Sequence, residues 1–330
     1  MSKRPQLLKP QHKLVVISFA AIVLVSIIGM GNQLYIQNQQ IATLKSQVAI
    51  TTSKLSTYSR TLCSIKETNV QTMRDGTYTV QSYGLDRTYI VHTPDNYDPS
   101  VRYPVILSFD GIEGTGARME GYSGLNMLPA IIVYPNSLDG TNKFTSWQGA
   151  PYSVNNERDI QFVTDILKEL PSRYCTDSTE TFAVGMSNGG AFASLVGCEL
   201  GDQIKAVASV SGAYYHTCKE EQRTPSLLIV HSSSDRQVPF TGSLSRNLPN
   251  IQDYAKKQSI DRRCDPEVDT RIVNGVMYEN WTGCKSGSTL RFVTVPEQAH
   301  GWLAIPKTEP QYADGSAGYI WNFFKDQLYS

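Results

Sequence analysis

Residues 181 to 192 read TFAVGMSNGGAF, and their reading decides the fold. Gly185-Met186-Ser187-Asn188-Gly189 has the form GxSxG, which alone is a weak signal. Its flanks strengthen it. Thr181 to Val184 is an apolar, β-branched run, and from Gly190 onward (GAFASLVGCEL) the residues are small and apolar at helical spacing. Strand, sharp turn and helix, in that order, are the setting in which a serine is presented as a nucleophile. Such a turn crowds its own backbone, so the positions on either side of the serine must lack bulk.

Outward from this stretch, from about residue 77, short apolar runs alternate with turn residues and helical segments. TYTVQSYG and RTYIVHTP read as an antiparallel strand pair; YPVILSFDG, AIIVYPN, ETFAVGMS, AVASVSG, SLLIVHSS and LRFVTVPE read as buried strands. Between them, 158 to 170, 190 to 200, 250 to 258 and 318 to 328 carry helical periodicity. Strands alternating with helices predict an α/β fold, with a mostly parallel central sheet and helices on both faces. In such sheets ligands and chemistry collect at the carboxyl ends of the strands, where Ser187 would stand.

A serine hydroxyl is a poor nucleophile at neutral pH and needs a base, which in turn needs an acid to orient it. Three histidines follow Ser187: His216, His231 and His300. Only His300 has both a strand before it and a candidate acid between it and the serine. Asp235, in SSSDRQVPF, stands just past a buried strand and before a turn, whereas Asp202, Asp253, Asp261, Asp265 and Asp269 lie on polar segments. A simple ion pair of Asp235 with Arg236 is disfavoured, because adjacent side chains in an extended segment point apart. Attack on a carbonyl would create an oxyanion that needs prepared N–H donors. The expected donors are the N–H of Asn188 and one from Gly111-Ile112-Glu113-Gly114, with Ile112 the candidate; an ordinary glycine-rich turn is the alternative there.

Thirty basic and thirty acidic residues balance, so nothing suggests a general attraction to nucleic acid. The amino terminus is the exception to an otherwise globular pattern. Residues 14 to 30, LVVISFAAIVLVSIIGM, carry no charge and follow Lys3, Arg4, Lys9 and Lys13, as in a signal peptide or a membrane anchor. The length of the run and the lack of an A-x-A site favour an uncleaved anchor, with everything after residue 31 on the extracytoplasmic side. If the segment is cleaved, the protein is secreted. The expected division is a basic segment at 1–13, a membrane helix at 14–31, a polar stalk at 32–62 and a catalytic domain at 63–330. In the stalk Leu34, Ile41, Val48 and Leu55 recur every seven residues, which fits a self-associating helix or a solvated linker with accidental spacing.

The six cysteines, Cys63, Cys175, Cys198, Cys218, Cys264 and Cys284, all follow the apolar run. An even count in an exported domain reads as three disulfides, with buried free thiols as the alternative. No CxxC pair or His/Cys cluster points to zinc, and no cofactor or metal is expected. Asn280-Trp281-Thr282 is a glycosylation sequon, relevant only where exported proteins are glycosylated.

Over roughly residues 63 to 328 the chain resembles the extracellular esterases that include polyhydroxybutyrate depolymerases, feruloyl esterases and acetylxylan esterases, within the α/β-hydrolase superfamily. GMSNGG, then HSSSDRQVPF, then AHGWL and a terminal WNFF segment occur in the family's order. The resemblance implies an α/β-hydrolase fold and a triad of Ser187, Asp235 and His300. It also implies disulfides pairing Cys63 with Cys175, Cys198 with Cys218, and Cys264 with Cys284. The implied substrate is a carboxylic ester, feruloyl, acetyl or hydroxybutyryl, in a polymeric polyester or plant polysaccharide. An acyltransferase, a serine peptidase or a non-catalytic surface protein on the same fold are the competing readings; the last would be expected to lack a triad member. Trp147, Tyr214, Tyr215 and Trp302 are candidates to wall an acyl pocket, although aromatic residues more often form core. One departure stands out: Asp110-Gly111 replaces the family's usual His-Gly. The carboxylate is therefore expected to turn away from the oxyanion and accept hydrogen bonds from its own loop, a role asparagine would also fill.

Overall fold

A computed structural model describes residues 63, 75–154, 156–216, 218, 224–306 and 315–328. The expected membrane helix at 14–31 and stalk at 32–62 lie outside the described residues. Among those described, no helix is long and apolar enough to cross a membrane.

Among the described residues the first elements are two hairpin strands, β1 (Gly76–Ser82) and β2 (Leu85–His92). There follow β3 (Tyr103–Phe109), α1 (Gly116–Ser123), β4 (Ile131–Pro135), the short pair β5 (Leu138–Asp139) and β6 (Thr145–Ser146), and α2 (Arg158–Glu169). Next come β7 (Thr176–Met186), α3 (Asn188–Glu199), β8 (Ala206–Val210), β9 (Ser226–Ser232) and α4 (Ile251–Asp261). β10 (Asp269–Val273), β11 (Val276–Trp281), β12 (Leu290–Val295) and α5 (Gly315–Asp326) complete the set. Among the described residues ten strands form one sheet in the order β1-β2-β4-β3-β7-β8-β9-β12-β11-β10. The six central strands, β4 to β12, run parallel, and an antiparallel hairpin extends each edge.

Burial on both faces explains the continuous apolar runs. Along β3, Val105, Leu107 and Phe109 face the cluster that contains Phe162 of α2, Phe192 of α3 and Tyr254 of α4, while Ile106 faces the other side. There it joins Met119 of α1 and Ile320, Phe323 and Phe324 of α5. Asn250 caps α4, its side-chain oxygen accepting from the N–H of Gln252 at 2.9 Å and of Asp253 at 3.2 Å. The sequon falls within β11, where Asn280 sits in register with Asp269 and Arg291.

All three disulfides pair as the resemblance implied: Cys63 with Cys175, Cys198 with Cys218, and Cys264 with Cys284. The first joins residues 112 apart and fixes the chain's entry to the start of β7. Loop closure of that size stabilises by about 4 to 5 kcal/mol through the unfolded state. Replacing both Cys63 and Cys175 by serine should therefore lower Tm by roughly 10 °C for a domain of this size. A change of only a degree or two in a thermal melt would show that this tether carries little of the stability.

His231 is buried, and His216 is half-buried with both ring nitrogens shielded from solvent, so each ring favours its neutral form. Burial pushes His216 down to about 4 and also lowers His231. Both bind a proton in the unfolded chain below about 6.5 but resist it when folded. The unfolded state is thus the more protonated one, and stability should decline as pH falls from about 6.5 towards 4. Melting curves between pH 7 and 5 test this: His216→Gln should flatten the dependence, and coincident slopes would contradict it.

Candidate active site

The turn after β7 has the strain that the GxSxG reading requires. Ser187 adopts φ 58° and ψ −120°, a conformation that side chains rarely take. A Cβ on Gly185 would lie 2.2 Å from the Gly189 carbonyl oxygen, and one on Gly189 would lie 2.2 Å from that of Phe109. Only glycine lets β7, α3 and the end of β3 approach this closely. The Ser187 N–H donates to the Val210 carbonyl at 2.9 Å, which fixes the turn to β8.

The structure brings Ser187, His300 and Asp235 together from the ends of β7, β12 and β9. Ser187 Oγ lies 2.8 Å from His300 Nε2, and His300 Nδ1 lies 2.7 Å from Asp235 Oδ2. An ionised carboxylate can only accept, so Nδ1 donates and Nε2 is left to accept the serine proton. Asp235 is held by the N–H groups of Gln237 at 2.9 Å and Val238 at 2.8 Å, both on Oδ1. Burial pushes its carboxyl up, but the His300 and Val238 hydrogen bonds outweigh it and hold Asp235 below the usual carboxylate range. His231, fully buried, donates from Nε2 to the Val238 carbonyl at 2.9 Å and lies 3.4 Å from Asp235 Oδ2. The loop bearing His300 is pinned by Ser211 Oγ donating to the Gly301 carbonyl at 2.9 Å and Ser232 Oγ donating to that of Gln298 at 2.6 Å. Sequence reading gave these two serines no role; only the fold brings strand ends 66 and 90 residues away to the loop.

The loop after β3 lies against the serine, since a Cβ on Gly111 would sit 3.2 Å from that of Ser187. Among the described residues no hydrogen bond engages the N–H of Ile112 or of Asn188, whereas Glu113 N–H is taken by the Thr145 carbonyl at 2.9 Å. Asp110, 2% exposed, accepts the Gly111 N–H on Oδ1 at 2.7 Å. Arg118 of α1 grips both carboxylate oxygens, Nε to Oδ2 at 2.6 Å and Nη2 to Oδ1 at 3.1 Å. Tyr122 Oη donates to Oδ1 at 2.6 Å. Burial and then the Asp110 bond push the Tyr122 hydroxyl up, so it stays a donor. The expectation that asparagine would serve equally well is therefore corrected: with both oxygens accepting from one guanidinium, an amide would turn an NH₂ against Arg118.

Two of the expected pocket aromatics are core. Trp147 is 1% exposed, stacked on Phe192 at 4.9 Å and T-shaped to Phe109. Tyr214 is 2% exposed, stacked on Tyr254 at 3.8 Å, with its hydroxyl 2.8 Å from Ser209 Oγ. Trp147 offers almost no surface to a ligand, while Tyr214 contributes only an edge to a surface cavity that Tyr215 and His216 also line. Composition carries no information on which face of a loop an aromatic takes. Trp302, beside His300, is half-buried and edge-on to Tyr122 at 6.2 Å. Tyr215 is half-buried and edge-on to Tyr152 at 6.1 Å. Among the described residues no group of His, Cys, Asp and Glu could hold a metal ion.

Parallel strands, helices on both faces and a serine on a strained turn at a strand's carboxyl end define an α/β-hydrolase-like esterase fold. The chain belongs to the Esterase family, which matches residues 80–298. It is similar to feruloyl esterase B of Piromyces equi, 25% identical over 263 residues that cover 72% of this chain and 45% of that protein. It is likewise similar to feruloyl esterase D of Neurospora crassa, 29% identical over 180 residues covering 50% and 59%. The chain thus spans about half the length of these curated relatives. Among solved structures, the acetyl xylan esterase from Aspergillus awamori superposes with a TM-score of 0.52 at 16% identity, covering 68% of this chain and 94% of that one. A thermostable esterase gives 0.50 at 15% identity, covering 77% and 60%. At these identities the likeness is one of fold.

Proposed function

We propose that this chain is a serine esterase that hydrolyses carboxylic esters through an acyl-enzyme on Ser187. The observation that carries the reading is the unbroken chain Ser187–His300–Asp235, at 2.8 and 2.7 Å, in a member of the Esterase family. Ser187 Oγ attacks the ester carbonyl while His300 Nε2 takes its proton. Asp235, kept ionised, holds the ring and stabilises the imidazolium. The N–H groups of Ile112 and Asn188 receive the oxyanion, each such donor being worth about 2.7 to 4 kcal/mol. Collapse expels the alcohol with the His300 proton. A water, deprotonated by the same ring, then frees the acid and restores Ser187.

The related proteins named feruloyl esterase support a feruloyl ester as the substrate. A panel of methyl ferulate, acetylated xylan, hydroxybutyrate ester and p-nitrophenyl esters tests this. Turnover of ferulate or acetyl esters well above that of the hydroxybutyrate ester is expected, and the reverse order would make the protein a depolymerase of polyesters. We further place the catalytic domain at 63–330, exported and tethered by the apolar segment 14–31; the paired cysteines suit an oxidising compartment. A protein lacking residues 1–60 should be soluble and fully active. Loss of activity on that truncation would place part of the site in the removed segment.

A further inference from the structure

The two donors assigned to the oxyanion sit on separate segments, Ile112 after β3 and Asn188 at the start of α3. A third segment, Thr145 to Gln148, is bonded to both. Towards α3, the Trp147 N–H donates to Asn188 Oδ1 at 2.7 Å, and the Trp147 carbonyl accepts from Asn188 Nδ2 at 3.2 Å. Towards β3, the Trp147 indole Nε1–H donates to the Asp110 carbonyl at 2.9 Å. The Thr145 carbonyl accepts the Glu113 N–H, also at 2.9 Å. Residues 110 and 113 bracket Ile112, so its peptide is held from either side. The segment is itself anchored. The Gln148 N–H donates to Asp159 Oδ2 at 2.9 Å, and Asp159, wholly buried, pairs with buried Arg87 at 3.0 Å.

We propose that Thr145–Gln148 is a splint that sets the separation of the two oxyanion donors, with Trp147 and the Asn188 side chain as its positioning residues. The proposal rests on the Ser187 mechanism above and deepens it. Main-chain donors stabilise an oxyanion only when fixed beforehand where its charge will develop. Donors on independent loops would drift apart, and a misplacement of about 1 Å can lower a rate about a hundredfold. Here one indole and one amide side chain tie the loops into a single unit. Trp147 therefore does more than fill the core, since its main chain and ring nitrogen each reach a different donor loop.

The test is steady-state ester hydrolysis by Trp147→Phe, Asn188→Ala and the double variant, with rates expressed per site titrated to completion by a fluorophosphonate. Trp147→Phe keeps an aromatic ring but loses the indole donor together with some buried volume, which is why the boronate affinity is read beside Tm; Asn188→Ala keeps its own N–H. Each should lower kcat about tenfold or more with KM nearly unchanged, and the double variant should fall short of the product of the two, as for residues acting in one unit. Affinity for phenylboronic acid, which forms a tetrahedral adduct on a serine, should drop by the same factor as kcat/KM. A lower Tm with unchanged kcat per titrated site, or unchanged boronate affinity, would overturn the splint while leaving the Ser187 mechanism intact. A wild-type protein that neither labels nor hydrolyses esters would overturn both.

Discussion

Ser187→Ala is expected to lower kcat for ester hydrolysis by roughly a thousandfold to a millionfold, with KM little changed. His300→Ala should fall nearly as far, and the double variant no further, because nucleophile and base act in one step. The geometry gives the reason: among the described residues the serine proton has one acceptor, His300 Nε2 at 2.8 Å. Asp235→Asn should lose somewhat less. Its amide can still accept from the Gln237 and Val238 N–H groups, but turned towards His300 it would stabilise the wrong tautomer. Initial rates on one p-nitrophenyl ester at fixed pH suffice. Activity retained in His300→Ala would remove the histidine from the mechanism, since no other follows Asp235 in the chain.

Arg118→Met is expected to lower kcat by up to about a hundredfold. An uncompensated carboxylate about 6 Å from a developing oxyanion would raise the barrier by about 2.8 kcal/mol at an effective dielectric of about 20. The structure meets that threat with Arg118, whose guanidinium grips both oxygens of the buried Asp110. Half of the Arg118 side chain is exposed, so solvent screens part of the effect, and the loss should shrink at high salt. Asp110→Asn should also lose activity, because the amide cannot satisfy the guanidinium, the Tyr122 hydroxyl and the Gly111 N–H together. Faster turnover by Asp110→Asn would instead mean that the charge bears directly on the reacting carbonyl.

The parallel strands were legible because each is buried on both faces and reads as an unbroken apolar run, and the elbow because its glycines are forced by close approach. The hairpin of β10 and β11 was not, although Asn274-Gly275, both at positive φ, is a strong two-residue turn signal. Its outer strand, DTRIV, is mostly exposed and shows no alternation. α1 was missed because GARMEGYS is short and holds two glycines, a composition that stabilises no isolated helix. Its two functional side chains, Arg118 and Tyr122, were missed with it: they meet Asp110 only because α1 folds back over the end of β3. Ser187, Asp235 and His300 were assigned from their places after strands, which is local information. That Trp147 bridges two loops is not local.

The most direct test of the central claim is mass spectrometry of the protein after reaction with a fluorophosphonate. The account predicts one adduct per chain, carried by the peptide that contains Ser187 in GMSNGG, formed rapidly by the wild type and hardly at all by His300→Ala. No adduct on the folded wild type, or one carried by a residue other than Ser187, would contradict it.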